Sequence, residues 1–119
     1  MFWWLEAPEQ LSKRSFEAVA AVDAEVFVSI ASLWEMANKV GLGKWPEARQ
    51  LVADFETEMA REGFLVLPIS LAHVRAAGLM QSPHRDPFDR LLAAQAMIEG
   101  LTLVTADPKA GALGAAVLW

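Results

Sequence analysis

The chain has 119 residues, of which 55% are hydrophobic and 21% are charged, and its formal net charge is −5. This length is typical of one domain, and the high apolar content excludes a disordered chain. The sequence contains no cysteine, which excludes disulfides, a thiol nucleophile and a cysteine-bound zinc ion. Because no apolar run reaches the roughly 18 residues of a membrane span, we expect a single cytoplasmic domain.

Helices and short apolar strands alternate along the chain. Helices are predicted over 9–22 (capped by Ser12), over 32–40 (ending at Gly41), from Pro46 to Gly63, over 70–79, and from Pro87 to Ile98 (ending at Gly100). Strands are predicted over 26–28, 64–67, 101–104 and 115–118. This alternation predicts an α/β fold with a parallel sheet covered on both faces. In such folds the reactive groups lie beyond the carboxyl ends of the strands.

Three acidic residues occupy suitable places for such a site. Glu35 is predicted in the first turn of a helix that follows a strand, Asp89 in the first turn of the helix opened by Asp86-Pro87, and Asp107 almost directly after the strand 101–104. Clustered carboxylates repel one another, and Mg²⁺ or Mn²⁺ relieves this repulsion because both ions prefer oxygen ligands. The pattern therefore predicts a divalent cation site without histidine or cysteine ligands.

The same residues also have structural interpretations. Ser32 and Glu35 match a capping box, in which Glu35 serves only the helix start. Asp86 is a natural N-cap before a proline, Asp89 favours the helix dipole, and Asp107 is placed to cap a short helix. These roles do not exclude metal binding, since a carboxylate at a helix start can do both.

The basic residues indicate where nucleic acid would bind. Because the chain is acidic overall, contacts with phosphate must be local, or metal ions must supply the positive charge. Arg85 is a candidate RNA contact, as are Lys39 and Lys44, which flank a Gly-Leu-Gly turn. His84 either contacts phosphate or pairs with a neighbouring carboxylate, and the pairing is the favoured interpretation. His73, within a helix, is expected at the surface or half-buried.

Three segments resemble the acidic motifs of VapC-type toxins, which belong to the PIN-domain family. Residues 32–39 (SLWEMANK), followed by 41–44 (GLGK), look like the second motif of these toxins. Residues 84–96 (HRDPFDRLLAAQA) look like the third, and 101–107 (LTLVTAD) like the fourth. The segments occur in the family's order and at its spacing.

The resemblance implies a fold, an activity and a set of site residues. The fold is a PIN-like, three-layer α/β structure with a mainly parallel sheet of about four to five strands. The activity is that of a divalent-metal-dependent endoribonuclease, the toxin of a type II toxin–antitoxin pair, with a VapB-like antitoxin and a second copy of the chain as protein partners. Glu35, Asp89 and Asp107 match the positions that bind Mg²⁺ or Mn²⁺, whereas Thr105 and Asp86 match supporting positions.

The sequence departs from the family pattern at its beginning. The family's first strand and its aspartate come before a segment like residues 2–5 (FWWL), so we expect 1–119 to be a single, N-terminally truncated PIN-like domain. This departure keeps an alternative open, namely a catalytically incompetent PIN-fold binding module that still binds an antitoxin or another protein. A different metal-dependent phosphohydrolase on a similar sheet is a third interpretation.

Overall fold

The structure, a computed structural model, describes residues 11–119. The first two residues of the helix predicted over 9–22 lie outside this range. The chain start, where the family's first strand is expected to be absent, lies outside it as well.

Helices and strands alternate through the described range, as predicted. The helices are α1 (Lys13–Ala20), α2 (Ile30–Gly41), α3 (Arg49–Ala53), α4 (Phe55–Glu62), α5 (Leu71–Leu79), α6 (Pro87–Glu99) and α7 (Pro108–Gly111), with a 3₁₀ turn at Pro46–Ala48. The strands are β1 (Phe27–Ser29), β2 (Leu65–Leu67), β3 (Leu103–Val104) and β4 (Val117–Leu118). None of the helices within 11–119 has the length and apolar character needed to cross a membrane.

The strand pairs confirm the predicted α/β fold with parallel strands. In the described residues β1 pairs with β2, with Val28 opposite Val66, and β3 pairs with β4, with Leu103 opposite Val117. Both pairs are parallel, so each is joined by a crossover that contains helix. The chain forms two compact units, Met1–Pro68 and Ile69–Trp119, and each of these two described pairs lies within one unit.

The core of the first unit lies where α2, α3 and α4 pack around β1. Its buried apolar residues are Val28, Met36, Leu51, Phe55, Met59 and Phe64. The sequence predicted one helix from Pro46 to Gly63, and this prediction is wrong in detail. The backbone leaves the helical conformation at Asp54, with φ −109° and ψ 28°, so two helices replace one. The spacing of Leu51, Phe55 and Met59 nevertheless brings all three into the core.

Helix α2 begins earlier than predicted, and this changes the position of Glu35. Ser29 is the N-cap, because its Oγ accepts the backbone N–H of Ala31 at 2.9 Å. Ser32 is therefore the third residue of the helix, and the predicted capping box between Ser32 and Glu35 is wrong. Glu35 lies in the second turn rather than the first.

Replacing Ser29 with alanine should therefore destabilise the protein, whereas the same change at Ser32 should not. Loss of an N-cap typically costs about 1 kcal/mol, and Ser29 is buried, so water cannot easily replace the lost acceptor. We expect Ser32→Ala to change the free energy of unfolding by less than about 0.5 kcal/mol. Urea denaturation measures both variants, and a larger loss for Ser32→Ala would show that the helix begins at the later serine.

Left-handed glycines shorten two of the predicted strands. Gly63 and Gly100 have φ of 73° and 68° and end α4 and α6. The next residue then folds back on the helix: the Phe64 N–H donates to the Met59 carbonyl and the Leu101 N–H to the Ala96 carbonyl. This is the hydrogen bond of a Schellman motif, and it keeps Phe64 and Leu101 out of the strands that follow.

In the second unit, α5 and α6 form an antiparallel helical hairpin held at both ends. At one end His73, which is only 2% exposed, places its Nε2 atom 2.9 Å from Oε1 of Glu99. The Nδ1 atom of His73 accepts the N–H of Ser70, while Oγ of Ser70 accepts the N–H of His73. The expectation of an exposed or half-buried His73 is therefore wrong, because its ring completes a capping box and joins the two helices.

Candidate metal centre

Asp86 and Asp89 lie at the start of α6, and the turn that holds them is built by Asp86. Oδ1 of Asp86 accepts the backbone N–H groups of Phe88 (2.9 Å) and Asp89 (3.3 Å). Pro87 occupies the first helical position, where its lack of an N–H costs nothing. Asp86 is thus the N-cap that the sequence predicted. The Asp86 carboxylate caps the helix, whereas Asp89 lies in the first turn and its side chain is half-buried.

Asp107 follows β3 and begins the short helix α7. Its Oδ1 atom accepts the N–H of Lys109 at 2.9 Å, and its own N–H donates to Oγ1 of Thr105 at 3.1 Å. The hydroxyl of Thr105 therefore fixes the backbone from which the Asp107 carboxylate extends. This cap on a short helix matches the structural interpretation of Asp107 in the sequence.

The two aspartates meet at one place, and His84 lies there with them. One candidate ligand atom from each of His84, Asp89 and Asp107 lies within 4.8 Å of the others. Nε2 of His84 is 2.8 Å from Oδ2 of Asp89, and these two side chains are 17% and 23% exposed. The contact confirms the carboxylate pairing favoured for His84. Among residues 11–119 this is the one group of three or more potential ligands that lie close enough to share an ion.

Arg90 anchors the loop that carries His84. From α6 its guanidinium donates to three backbone carbonyls, those of Ala77 (3.1 Å), Met80 (2.5 Å) and His84 (3.4 Å). The first two belong to the end of α5, where carbonyls lack helical partners. Arg90 thus closes the second end of the helical hairpin and holds the backbone of His84 near the start of α6.

The other predicted site residues have these local contacts. Glu35 belongs to the first unit, on α2, where its carboxylate is 3.9 Å from Nζ of Lys39. Lys39 also lies 5.3 Å from the ring centre of Trp45. Lys44 is exposed, and its N–H donates to the Lys39 carbonyl. Arg85 is exposed on the loop beside His84.

Sequence reasoning missed two residues of this centre. The pattern predicted an all-oxygen ligand set, and His84 was considered only as an ion-pair or phosphate contact. Arg90 was read only as part of a motif. The available signal was the position of Arg90 in the sequence. When two helices are joined by a short loop, an arginine near the start of the second helix can reach the backbone carbonyls at the end of the first.

The profile of the PIN domain family matches residues 1–115 of the chain. The chain belongs to the PIN domain family. The match spans both compact units and contains every predicted site residue. PIN domains are generally nucleases that act on RNA or other nucleic acid and typically bind divalent metal ions. No curated protein and no solved structure matches the chain at a significant level.

The donor set at the centre fits a divalent cation. Two carboxylates supply hard oxygen ligands and one imidazole supplies nitrogen, and these ligand atoms lie within 4.8 Å of one another. Partial burial reduces the screening of the two negative charges by water. Bringing two carboxylates together is unfavourable unless a positive charge joins them, and a bound divalent cation would provide it.

Proposed function

We propose that this chain is a divalent-metal-dependent endoribonuclease that acts as the toxin of a type II toxin–antitoxin pair. The observation that carries the proposal is the convergence of Asp89 and Asp107, from two different elements, in a chain of a nuclease family. The resemblance of the motifs around both aspartates to VapC-type toxins supports the toxin assignment.

Each acidic residue has a proposed role. Asp89 and Asp107 bind the Mg²⁺ or Mn²⁺ ion, and Glu35 contributes a third carboxylate. A bound divalent cation supplies an activated water and positive charge for the phosphate under attack. Asp86 fixes the start of α6, and Thr105 holds the Asp107 backbone, so these two residues position the ligands without binding the ion themselves.

RNA binding is proposed to rely on a few basic residues. The net charge of −5 opposes broad electrostatic attraction to phosphate, so contacts must be concentrated. Arg85 is exposed next to His84, which suits a phosphate contact beside the scissile bond. Lys39 and Lys44 are exposed around the turn after α2 and are proposed as further phosphate contacts.

The protein partners follow from the toxin assignment. We propose a VapB-like antitoxin that covers the acidic site, a homodimer as the state of the toxin, and action on RNA in the cytoplasm. We also propose that the two compact units together make one PIN domain, because the family match runs through both of them.

The metal dependence is tested by removing and restoring the ion. The purified, antitoxin-free chain is incubated with a structured RNA in Mn²⁺ or Mg²⁺, with a chelator, and with excess metal added after the chelator. We expect cleavage with metal, a loss of at least about 100-fold with the chelator, and recovery on re-addition. Products are mapped by primer extension, which identifies internal cleavage.

Three results would contradict the proposal in different ways. Cleavage that continues in the chelator would exclude a metal-dependent mechanism. Binding of metal and RNA without cleavage would favour the binding-module alternative. Hydrolysis of small phosphate esters with RNA left intact would favour a phosphohydrolase.

A further inference from the structure

We propose that His84 is a protein ligand of the catalytic metal ion, and that this nitrogen ligand makes the site select Mn²⁺ over Mg²⁺. The inference rests on the proposed function, because it concerns the same centre. It replaces the all-oxygen ligand set that the acidic motifs indicate with a mixed set, in which the imidazole of His84 joins the carboxylates.

The position of the His84 ring carries the proposal. Its Nε2 atom lies 2.8 Å from Oδ2 of Asp89, and the histidine, Asp89 and Asp107 each offer a ligand atom within 4.8 Å of the others. Three ligands of a small cation must converge in this way. Because the ring is mostly buried, its Nε2 atom faces the carboxylates rather than open solvent.

Two hydrogen bonds restrain the backbone of His84, one on each side of the residue. The His84 N–H donates to Oγ of Ser82 at 3.2 Å, and the His84 carbonyl accepts from Nη1 of Arg90 at 3.4 Å. A residue whose backbone is already restrained loses less conformational entropy when the ion binds.

The other histidine of the chain provides the contrast. His73 also contacts a carboxylate, that of Glu99, but its Nδ1 atom accepts the Ser70 N–H and the ring is only 2% exposed. Within the described part of the chain, Glu99 is not in a group of three potential ligands, whereas the carboxylate partner of His84 is. The contact of His73 with Glu99 joins two helices, whereas His84 adds a nitrogen ligand to two carboxylates.

Ligand chemistry then decides between the two metal ions. Mg²⁺ takes oxygen ligands in a strict octahedron and keeps several waters. Mn²⁺ also favours oxygen ligands, but as a first-row transition metal ion it binds imidazole nitrogen more strongly than Mg²⁺ does. Nitrogen from His84 therefore adds to the affinity for Mn²⁺ and adds little to that for Mg²⁺.

Electron paramagnetic resonance of the Mn²⁺-loaded chain tests the ligand directly, without any activity measurement. We expect electron spin echo modulation from a ¹⁴N nucleus in the parent protein and its loss in His84→Ala. Parent protein labelled with ¹⁵N-histidine should show the ¹⁵N frequency instead. His73→Gln is the matched control, because it removes the only other histidine and should keep the ¹⁴N signal if its circular dichroism remains that of the parent.

Equilibrium titration tests the selectivity. We expect His84→Ala to weaken Mn²⁺ binding by about 10-fold or more, and Mg²⁺ binding, measured by competition, by less than about threefold. Mn²⁺ bound without ¹⁴N modulation in the parent would overturn the inference while leaving the proposed metal site intact. An equal loss of affinity for both ions would overturn the selectivity, and a parent chain that binds neither ion would overturn the proposed function itself.

Discussion

Replacing Asp89 with asparagine is expected to reduce metal-dependent RNA cleavage by at least about 100-fold while leaving the fold intact. The change removes one negative oxygen ligand from the group formed with His84 and Asp107. Asparagine keeps the size of the side chain, and the helix start does not depend on the carboxylate of residue 89, because Asp86 supplies the cap. The rate is measured on a labelled RNA at saturating Mn²⁺, together with Mn²⁺ affinity.

Asp86→Asn is the matched control for this variant. It removes the same charge from the same turn of α6, and asparagine caps helices about as well as aspartate. We therefore expect cleavage within a few-fold of the parent and a stability change of no more than about 1 kcal/mol from the helix dipole. If Asp86→Asn is inactive and Asp89→Asn is active, the ligand assignment within this turn is reversed.

Replacing Arg90 with alanine should lower the free energy of unfolding by about 2–4 kcal/mol. The guanidinium donates to the carbonyls of Ala77, Met80 and His84, and hydrogen bonds from a charged donor each contribute more than neutral ones. Without Arg90 the end of α5 loses its side-chain donor, and the loop that carries His84 is released. Urea denaturation measures the loss, and the weaker Mn²⁺ binding expected from a misplaced His84 provides a second reading.

A lysine variant separates the geometry of Arg90 from its charge, and an alanine variant at Arg75 is the control for losing an exposed arginine. Lysine at position 90 keeps the charge but lacks the planar fork, so it should recover less than half of the lost stability. Arg75→Ala removes an exposed arginine from α5 of the same hairpin and should change stability by less than about 0.5 kcal/mol. Equal stability of Arg90→Ala and the parent would mean that water replaces all three contacts.

The predictable parts of the site are those set by local chemistry. Asp86 before a proline at a helix start and Asp107 before another proline are strong cap signals, and both caps are present. The alternation of apolar strands with helices gave the α/β class and parallel pairing in the same way. These features depend on neighbours within a few residues, which the sequence displays directly.

Other features depended on contacts that no local pattern encodes. The sequence predicted the start of α2 at Ser32, whereas Ser29, at the end of β1, is the N-cap. His84 joins the aspartates because of where Arg90 holds its backbone, a contact that requires the helical hairpin. The burial of His73 could have been predicted, because Ser70 lies three residues earlier and forms a capping box with it. The usual third residue of a capping box is glutamate or glutamine, however, and not histidine.

The helical hairpin also has a consequence for the order in which the site assembles. His84 and Asp89 are five residues apart, and Arg90 reaches back only six to His84 and ten to Met80, so closing these contacts costs little loop entropy. Asp107 follows β3, which pairs with β4 across a longer stretch of sequence, with Leu103 opposite Val117. Contacts of short sequence separation form quickly, so two of the three converging side chains belong to a fast-forming segment. We therefore expect the centre to be completed only when the last two strands pair.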